Sequence, residues 1–210
     1  MNERFDRLEE AKRERIIQAC LTEFAAKGYE QASTNEMVKR AGISKGLLFH
    51  YFGSKKALYL YLVDHAIEKI LASYASYPIE YSEEIFTRLR QIGMVKLKLS
   101  LAYPEMTKVL VEAFVASPED IRQEIQQKYA ELYAKLAPPI FRGLDLSKFR
   151  PEVKPDKALE VLTMFLDALE QKYRKAYQGH EQDLFKDVEQ IMAEYEEYFE
   201  ILKYGMYVRE

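Results

Sequence analysis

Apolar residues recur at helical spacing along nearly the whole chain, with short polar turns between the stripes. From Lys12 to Lys27, Ile16, Ile17, Cys20, Leu21 and Phe24 fall at i, i+4 and i+7, the one-sided stripe of an amphipathic helix, and Gly28 is placed to end it. Tyr29 and Ala32 are expected to pack beneath the two short helices C-terminal to them. Met37, Val38 and Ala41 repeat the spacing after Thr34, whose hydroxyl suits an N-cap, and Gly42 suits a left-handed helix end. Ser44 caps a second short helix in which Leu48 and Phe52, four apart, share a face. Gly53 stops that helix. Ser54 caps a longer one to about Tyr74, with Leu58, Tyr61, Leu62, His65, Ile70 and Leu71 as inner-face candidates. Two short helices joined by a Gly-containing turn form a helix-turn-helix pattern, whose second helix enters the DNA major groove.

Tyr77-Pro78 interrupts the pattern. Ser82 then caps a helix to about Tyr103, carrying Ile85, Phe86, Leu89, Ile92, Leu97 and Leu101. Pro104 opens a short apolar helix with Met106, Val109, Leu110, Val111, Phe114 and Val115. Ser117-Pro118-Glu119-Asp120 supplies a cap, a first-turn proline and two carboxylates, starting a helix to about Leu136 that Pro138-Pro139 is expected to end. Residues 140–155 read as a loop with a short helical piece. Two long helices complete the chain, from about Asp156 to Tyr177, closed by Gly179, and from Glu181 to about Tyr204, closed by Gly205. No period-two alternation appears, so the fold class is all-α with about nine helices.

The first eleven residues are charge-rich and of mixed sign. They read first as a solvated, fraying helix start, and second as a DNA-contacting arm built on Arg4 and Arg7.

Composition narrows the function. With 48% hydrophobic and 31% charged residues, the chain is that of a globular protein. The single cysteine forms no internal disulfide and suits a reducing compartment. The N-terminal residues lack a secretory apolar core, and the apolar run Ala57 to Val63 is far short of the roughly 20 residues a membrane span needs, so a cytoplasmic location is expected. The net charge of −3 hides an asymmetry: residues 1–60 hold 11 Lys and Arg against 8 Asp and Glu, and the remainder carries the acidic excess. Lys39, Arg40, Lys45, Lys55 and Lys56 face only Glu36 between residues 33 and 56, a basic head on an acidic body. The three histidines, at 50, 65 and 180, and Cys20 make no metal-ligand spacing. No Gly-rich phosphate loop or Gly-x-Ser-x-Gly elbow occurs. Neither enzyme activity nor a cofactor or metal is expected.

Ala41-Gly42-Ile43-Ser44-Lys45-Gly46, Leu48-Phe49-His50-Tyr51-Phe52 and Ser54-Lys55-Lys56-Ala57-Leu58 together resemble the DNA-binding domain of the TetR family of transcriptional regulators. The stretch from Ile16 through Phe24 to Lys27-Gly28-Tyr29 fits that family's first helix. The resemblance implies a helix-turn-helix domain over residues 1–53, a linking helix over 54–74 and a helical ligand-binding and dimerisation domain over 75–210. By resemblance, Lys45, Leu47, Phe49, His50 and Tyr51 face DNA. Ser44, Lys45 and Gly46 form the helix end that points into the groove, and Lys55 is a phosphate clamp. Ser33 and Thr34 touch the other wall of the groove. Two positions depart from the family pattern: Phe49 stands where Tyr is common, and Leu47 where a small polar residue is common. Base preference therefore does not transfer.

Phe86, Met94, Leu97, Met106, Leu110, Phe114, Tyr129, Tyr133, Met164 and Phe165 form a stripe that spacing alone reads as core, whereas the resemblance implies an apolar ligand pocket. Glu112 and Asp167 interrupt apolar runs and could meet a polar ligand group, solvent or a neighbouring subunit. Leu159, Leu162, Leu166, Leu169 and Tyr173, with Leu184, Val188, Ile191, Tyr195, Phe199 and Leu202, form long stripes. These read either as intrachain core or, as the resemblance implies, as a four-helix dimer interface in which Leu162, Leu166, Leu169, Tyr173, Ile191, Tyr195 and Phe199 take part. The expected protein is a homodimeric repressor of a DNA operator, released by a lipophilic small molecule. The alternative is a DNA-binding accessory protein acting through a protein partner. No membrane partner is expected.

Overall fold

Hydroxyl caps set three helix starts and turn glycines set two helix ends in the computed structural model, which describes residues 3–77, 80–177, 180 and 182–208. Ser33, Ser44 and Ser54 each accept a hydrogen bond from the amide three residues on, opening helices α3 (Thr34–Ala41), α4 (Lys45–Phe52) and α5 (Lys55–Ser76). The cap of α3 is therefore Ser33, one residue before the expected Thr34, with Thr34 its first helical residue. Gly42 closes α3 in the left-handed region at φ 66°.

Ahead of these lie α1 (Glu3–Asp6) and α2 (Glu10–Gln31), the latter broken at Gly28, whose φ of 71° is non-helical. After them come α6 (Ile85–Ala102), α7 (Pro104–Val115), a short 3-10 turn (Glu119–Ile121), α8 (Arg122–Ile140), α9 (Pro155–Tyr177), α10 (Gln182–Lys186) and α11 (Val188–Met206). The fold is all-α. Among the described residues there is no strand, only one isolated antiparallel bridge between Phe149 and Tyr207. No helix of the described residues is long and apolar enough to cross a membrane.

Helix α6 starts at Ile85, with its Phe86 and Thr87 amides donating to the Glu84 carboxylate rather than to the expected cap Ser82, and Gly205 lies inside α11 instead of closing it. Three further stretches differ from the sequence reading. Residues 3–6 are helical, and Phe5 is wholly buried against Tyr51, Phe52 and Tyr61, which makes this start anchored rather than fraying. Helix α8 continues past Pro138-Pro139 to Ile140, where Arg88 donates to the carbonyl oxygens of Ile140, Arg142 and Gly143. The last expected helix is two, α10 and α11, meeting at Asp187. Pro78, Gly179 and Glu181, invoked as breaks and boundaries, lie outside the described residues.

Packing divides the chain into two compact units, residues 1–77 with 98–128 and residues 78–97 with 129–210. The first unit is cored by Ile16, Ile17, Leu21, Phe24, Met37, Leu48, Leu58, Tyr59, Leu62 and Val109, all essentially inaccessible. Cys20 lies in the same core, and burial pushes its thiol up to about 12, leaving it an inert packing residue. The second unit packs around Ile85, Phe86, Phe149, Leu162, Phe199 and Tyr207.

Candidate nucleic-acid interface

The helix-turn-helix is held by polar side chains of α2 as well as by its own apolar face. Glu23, itself buried, accepts from the Ser33 amide at 3.1 Å and fixes the start of α3. Arg15 donates Nε to the Ala41 carbonyl at 3.0 Å and fixes its end. Met37, Ala41 and Leu48 are buried, so α3 and α4 have only one orientation in which their apolar positions are covered. Sequence reading missed Arg15 and Glu23; the available signal was Glu23 lying inside the apolar stripe between Leu21 and Phe24.

On the outward side, Ser44, Lys45, Gly46 and His50 are exposed, and Ser33, Thr34, Leu47, Phe49 and Lys55 are half-buried. Lys45 Nζ lies 6.0 Å from the Phe49 ring centroid, which keeps the ammonium along the face of α4. Lys39 and Arg40 at the end of α3 are also exposed. Tyr51 differs from the expected outward placement: it is 8% exposed, with its ring 5.4 Å from Phe5, because the α1 segment covers that side of α4. Lys55 is partly committed within the chain, donating to the Glu30 carbonyl at 3.0 Å with its Nζ 5.4 Å from the Tyr29 ring centroid.

Helix α7 is tied to this head through Glu112. Its Oε1 accepts from the Tyr29 amide at 2.6 Å and its Oε2 from the Tyr59 hydroxyl at 3.0 Å. Burial and this carboxylate push the Tyr59 phenol well up, so it stays a proton donor. Tyr29 in turn donates to Asp120, and Lys56 donates to the Asp120 carbonyl and pairs with Glu124. Burial, then the Asp120 carboxylate, raise the Tyr29 phenol. Glu112 is thus bonded inside the first unit. Asp167, on α9, accepts from Tyr133 at 3.4 Å.

The expected ligand-pocket residues are divided between the two units. Met106, Leu110 and Phe114 pack partly buried against the core of the first. In the second, Phe86 is wholly buried, Phe165 packs partly buried against the same core with its ring 5.3 Å from Tyr198, and Leu97 is half-buried. Tyr129 and Tyr133 stack at 6.3 Å, and Met94 and Met164 are exposed. Of the expected dimer residues, Leu162, Leu169, Tyr173 and Phe199 are buried within one chain, and Leu166, Ile191 and Tyr195 are half-buried. The exposed apolar side chains of the same helices are Val161 and Met164 on α9 and Ile201 and Tyr204 on α11. No group of three or more His, Cys, Asp or Glu among the described residues is arranged to hold a metal ion.

A helical head with a capped, exposed second helix defines a helix-turn-helix protein. Similarity to known proteins gives the family. Residues 16–62 match the bacterial regulatory proteins of the tetR family, and residues 83–207 match the tetracyclin repressor-like C-terminal domain. The chain belongs to the TetR family. A TetR family transcriptional regulator from Chloroflexus aurantiacus superposes with a TM-score of 0.60 at 25% identity, covering 99% of this chain and 98% of that one. Among curated relatives, the HTH-type regulator YuxN of Bacillus subtilis is 29% identical over 55% of this chain, which spans only 35% of that protein's length. The nucleoid occlusion factor SlmA of Marinobacter nauticus is 21% identical over 78% of this chain and 84% of its own length.

Proposed function

We propose that this protein is a DNA-binding transcriptional repressor that works as a homodimer and is released from its operator by a lipophilic small molecule. The carrying observation is the exposed end of α4, Ser44-Lys45-Gly46, presented by a capped helix-turn-helix whose inner face is fully packed. Exposed Lys39, Arg40 and Lys45 flank it with positive charge for phosphate neutralisation. The division into a regulatory-protein head and a tetracyclin repressor-like remainder supports both the sign of regulation and an effector. Control is then a population shift in which the effector prefers the state that does not hold both heads on DNA. We propose the domain division 1–53, 54–74 and 75–210 for these roles.

SlmA, whose name describes a nucleoid occlusion factor, favours a second reading: an accessory DNA-binding protein acting through a protein partner. One experiment separates the two. Purified protein is titrated onto its own upstream DNA and onto scrambled DNA across a salt series, then challenged with apolar compounds. Specific, salt-steep binding that an apolar compound reverses is the expected result. Binding that no compound alters, with a protein co-purifying from the source cell, supports the second reading. Absence of preference for any DNA, including sequences selected from a random pool, overturns both.

A further inference from the structure

Arg4 is brought to the recognition helix from outside the helix-turn-helix. Phe5 has no exposed surface and sits with its ring 4.7 Å from Phe52, 5.4 Å from Tyr51 and 5.5 Å from Tyr61. The segment is held further by the Leu8 amide donating to the Phe5 carbonyl at 3.1 Å and by Arg13 donating to the Asp6 carbonyl at 3.1 Å. With Phe5 fixed, the neighbouring Arg4 is exposed, and its guanidinium lies 3.4 Å from His50 Nε2, which accepts. An arginine is a permanent cation, and an exposed imidazole is a weak partner for it. A permanent cation held on an open surface with so weak a partner lowers its free energy when an anion arrives beside it.

We propose that Arg4 is a phosphate-binding residue of the DNA interface, set in place by Phe5, so that the reading surface extends from α4 onto α1. This rests on the proposed DNA-binding function. His50 is the sixth residue of the eight in α4, about 7 Å along the axis from the Ser44-Gly46 end. That end points into the groove, so the far part of the helix lies nearer the sugar-phosphate wall. Arg4 at this place contacts backbone rather than base edges, which sets position on the duplex and carries no sequence information.

The test uses the full-length chain and two duplexes, one of random sequence and one selected by the wild-type protein from a random pool. Binding is measured from about 50 to 200 mM salt. Arg4→Gln is expected to lower affinity about tenfold at low salt for both duplexes alike, and to reduce the slope of log K against log salt by about 0.9. Arg4→Lys is expected to keep the slope. Phe5→Ala, checked for retained helicity, is expected to lose the same slope with Arg4 still present, and Arg4→Gln added to it to change nothing further. If Phe5→Ala does not fold, the two Arg4 variants decide alone. An unchanged slope in Arg4→Gln beside a steep wild-type slope overturns the proposal, as does a loss confined to the selected duplex, which marks base reading. A wild-type protein that binds neither duplex overturns the DNA-binding function itself, a separate result.

Discussion

Glu112 lies among apolar neighbours on α7, and both its carboxylate oxygens accept hydrogen bonds from the first unit, one at the Gly28 break of α2 and one from buried Tyr59. Oε1 also sits 2.6 Å from where a Cβ on Gly28 would stand. Gly28→Ala is therefore penalised twice, by its positive φ and by the carboxylate. Glu112→Ala leaves the Tyr29 amide without this acceptor, a cost of about 1–3 kcal/mol in urea unfolding, while Glu112→Gln keeps a carbonyl oxygen there and is expected to lose less. Combined, Gly28→Ala and Glu112→Ala should cost less than their sum, since the second removes the first's clash and leaves only the strain. Strict additivity would mean that the two sites do not meet as the structure has them. In the sequence, Glu112 stood out only as a break in an apolar run. Its partners lie 83 and 53 residues away, so no local pattern could choose between ligand contact and internal bond.

At the scale of elements, what could be read from the sequence was what neighbours in sequence decide. Ser44, Ser54, Gly42 and the apolar spacing of α2 to α5 act within one turn, and their placement follows from local chemistry. The end of α8 does not, because the carbonyls beyond its prolines are taken by Arg88, 52 residues earlier. The buried start at Phe5 was hidden likewise, one aromatic among charges whose partners are Tyr51, Phe52 and Tyr61. Lys55 joins two elements, closing the end of α2 at Glu30 from the start of α5. As a phosphate clamp, its change to Ala is expected to weaken binding to all duplexes alike and reduce the salt slope by about 0.9. A full slope with a lowered melting temperature would assign Lys55 to helix closure alone. Helices α9 and α11 are joined by Glu194, which accepts from Lys172, from Tyr173 at 2.6 Å and from Tyr198 at 3.1 Å, and these bonds hold its carboxyl down at about 2. A depressed carboxyl stabilises the fold above its unfolded value and loses that contribution as pH falls through the folded one. Stability is therefore expected to decline between roughly pH 4.5 and 2. Glu194→Gln should flatten that part of the pH curve by bringing neutral-pH stability down toward the wild type's acid value, a modest loss because the half-buried group is screened by solvent.

For the whole molecule, one head of this size reads one half-site, and two heads held together read two about 34–36 Å apart. The stripes expected to join subunits are largely consumed inside one chain: Leu162 and Phe199 belong to the core of the second unit, and Leu169 and Tyr173 are buried. Periodicity marks which face of a helix is apolar, but a long stripe wide enough for one contact can hide a second, narrower one beside it. On α9 that second set is Val161 and Met164, at 46% and 64% exposure, and on α11 it is Ile201 and Tyr204, at 67% and 63%. These are too exposed to stabilise a monomer, and a two-fold partner presenting the same patch would cover them on both sides at once. We therefore expect Met164→Glu with Ile201→Glu to shift sedimentation from dimer to monomer without loss of helicity, since neither side chain supports the core. Binding to a two-half-site duplex should then fall much more than binding to a single half-site, because only the former depends on a shared dimer. A variant that stays dimeric would place the subunit contact elsewhere, whereas Leu162→Ala, at a fully buried position, should destabilise the fold by about 2–5 kcal/mol whatever the oligomeric state.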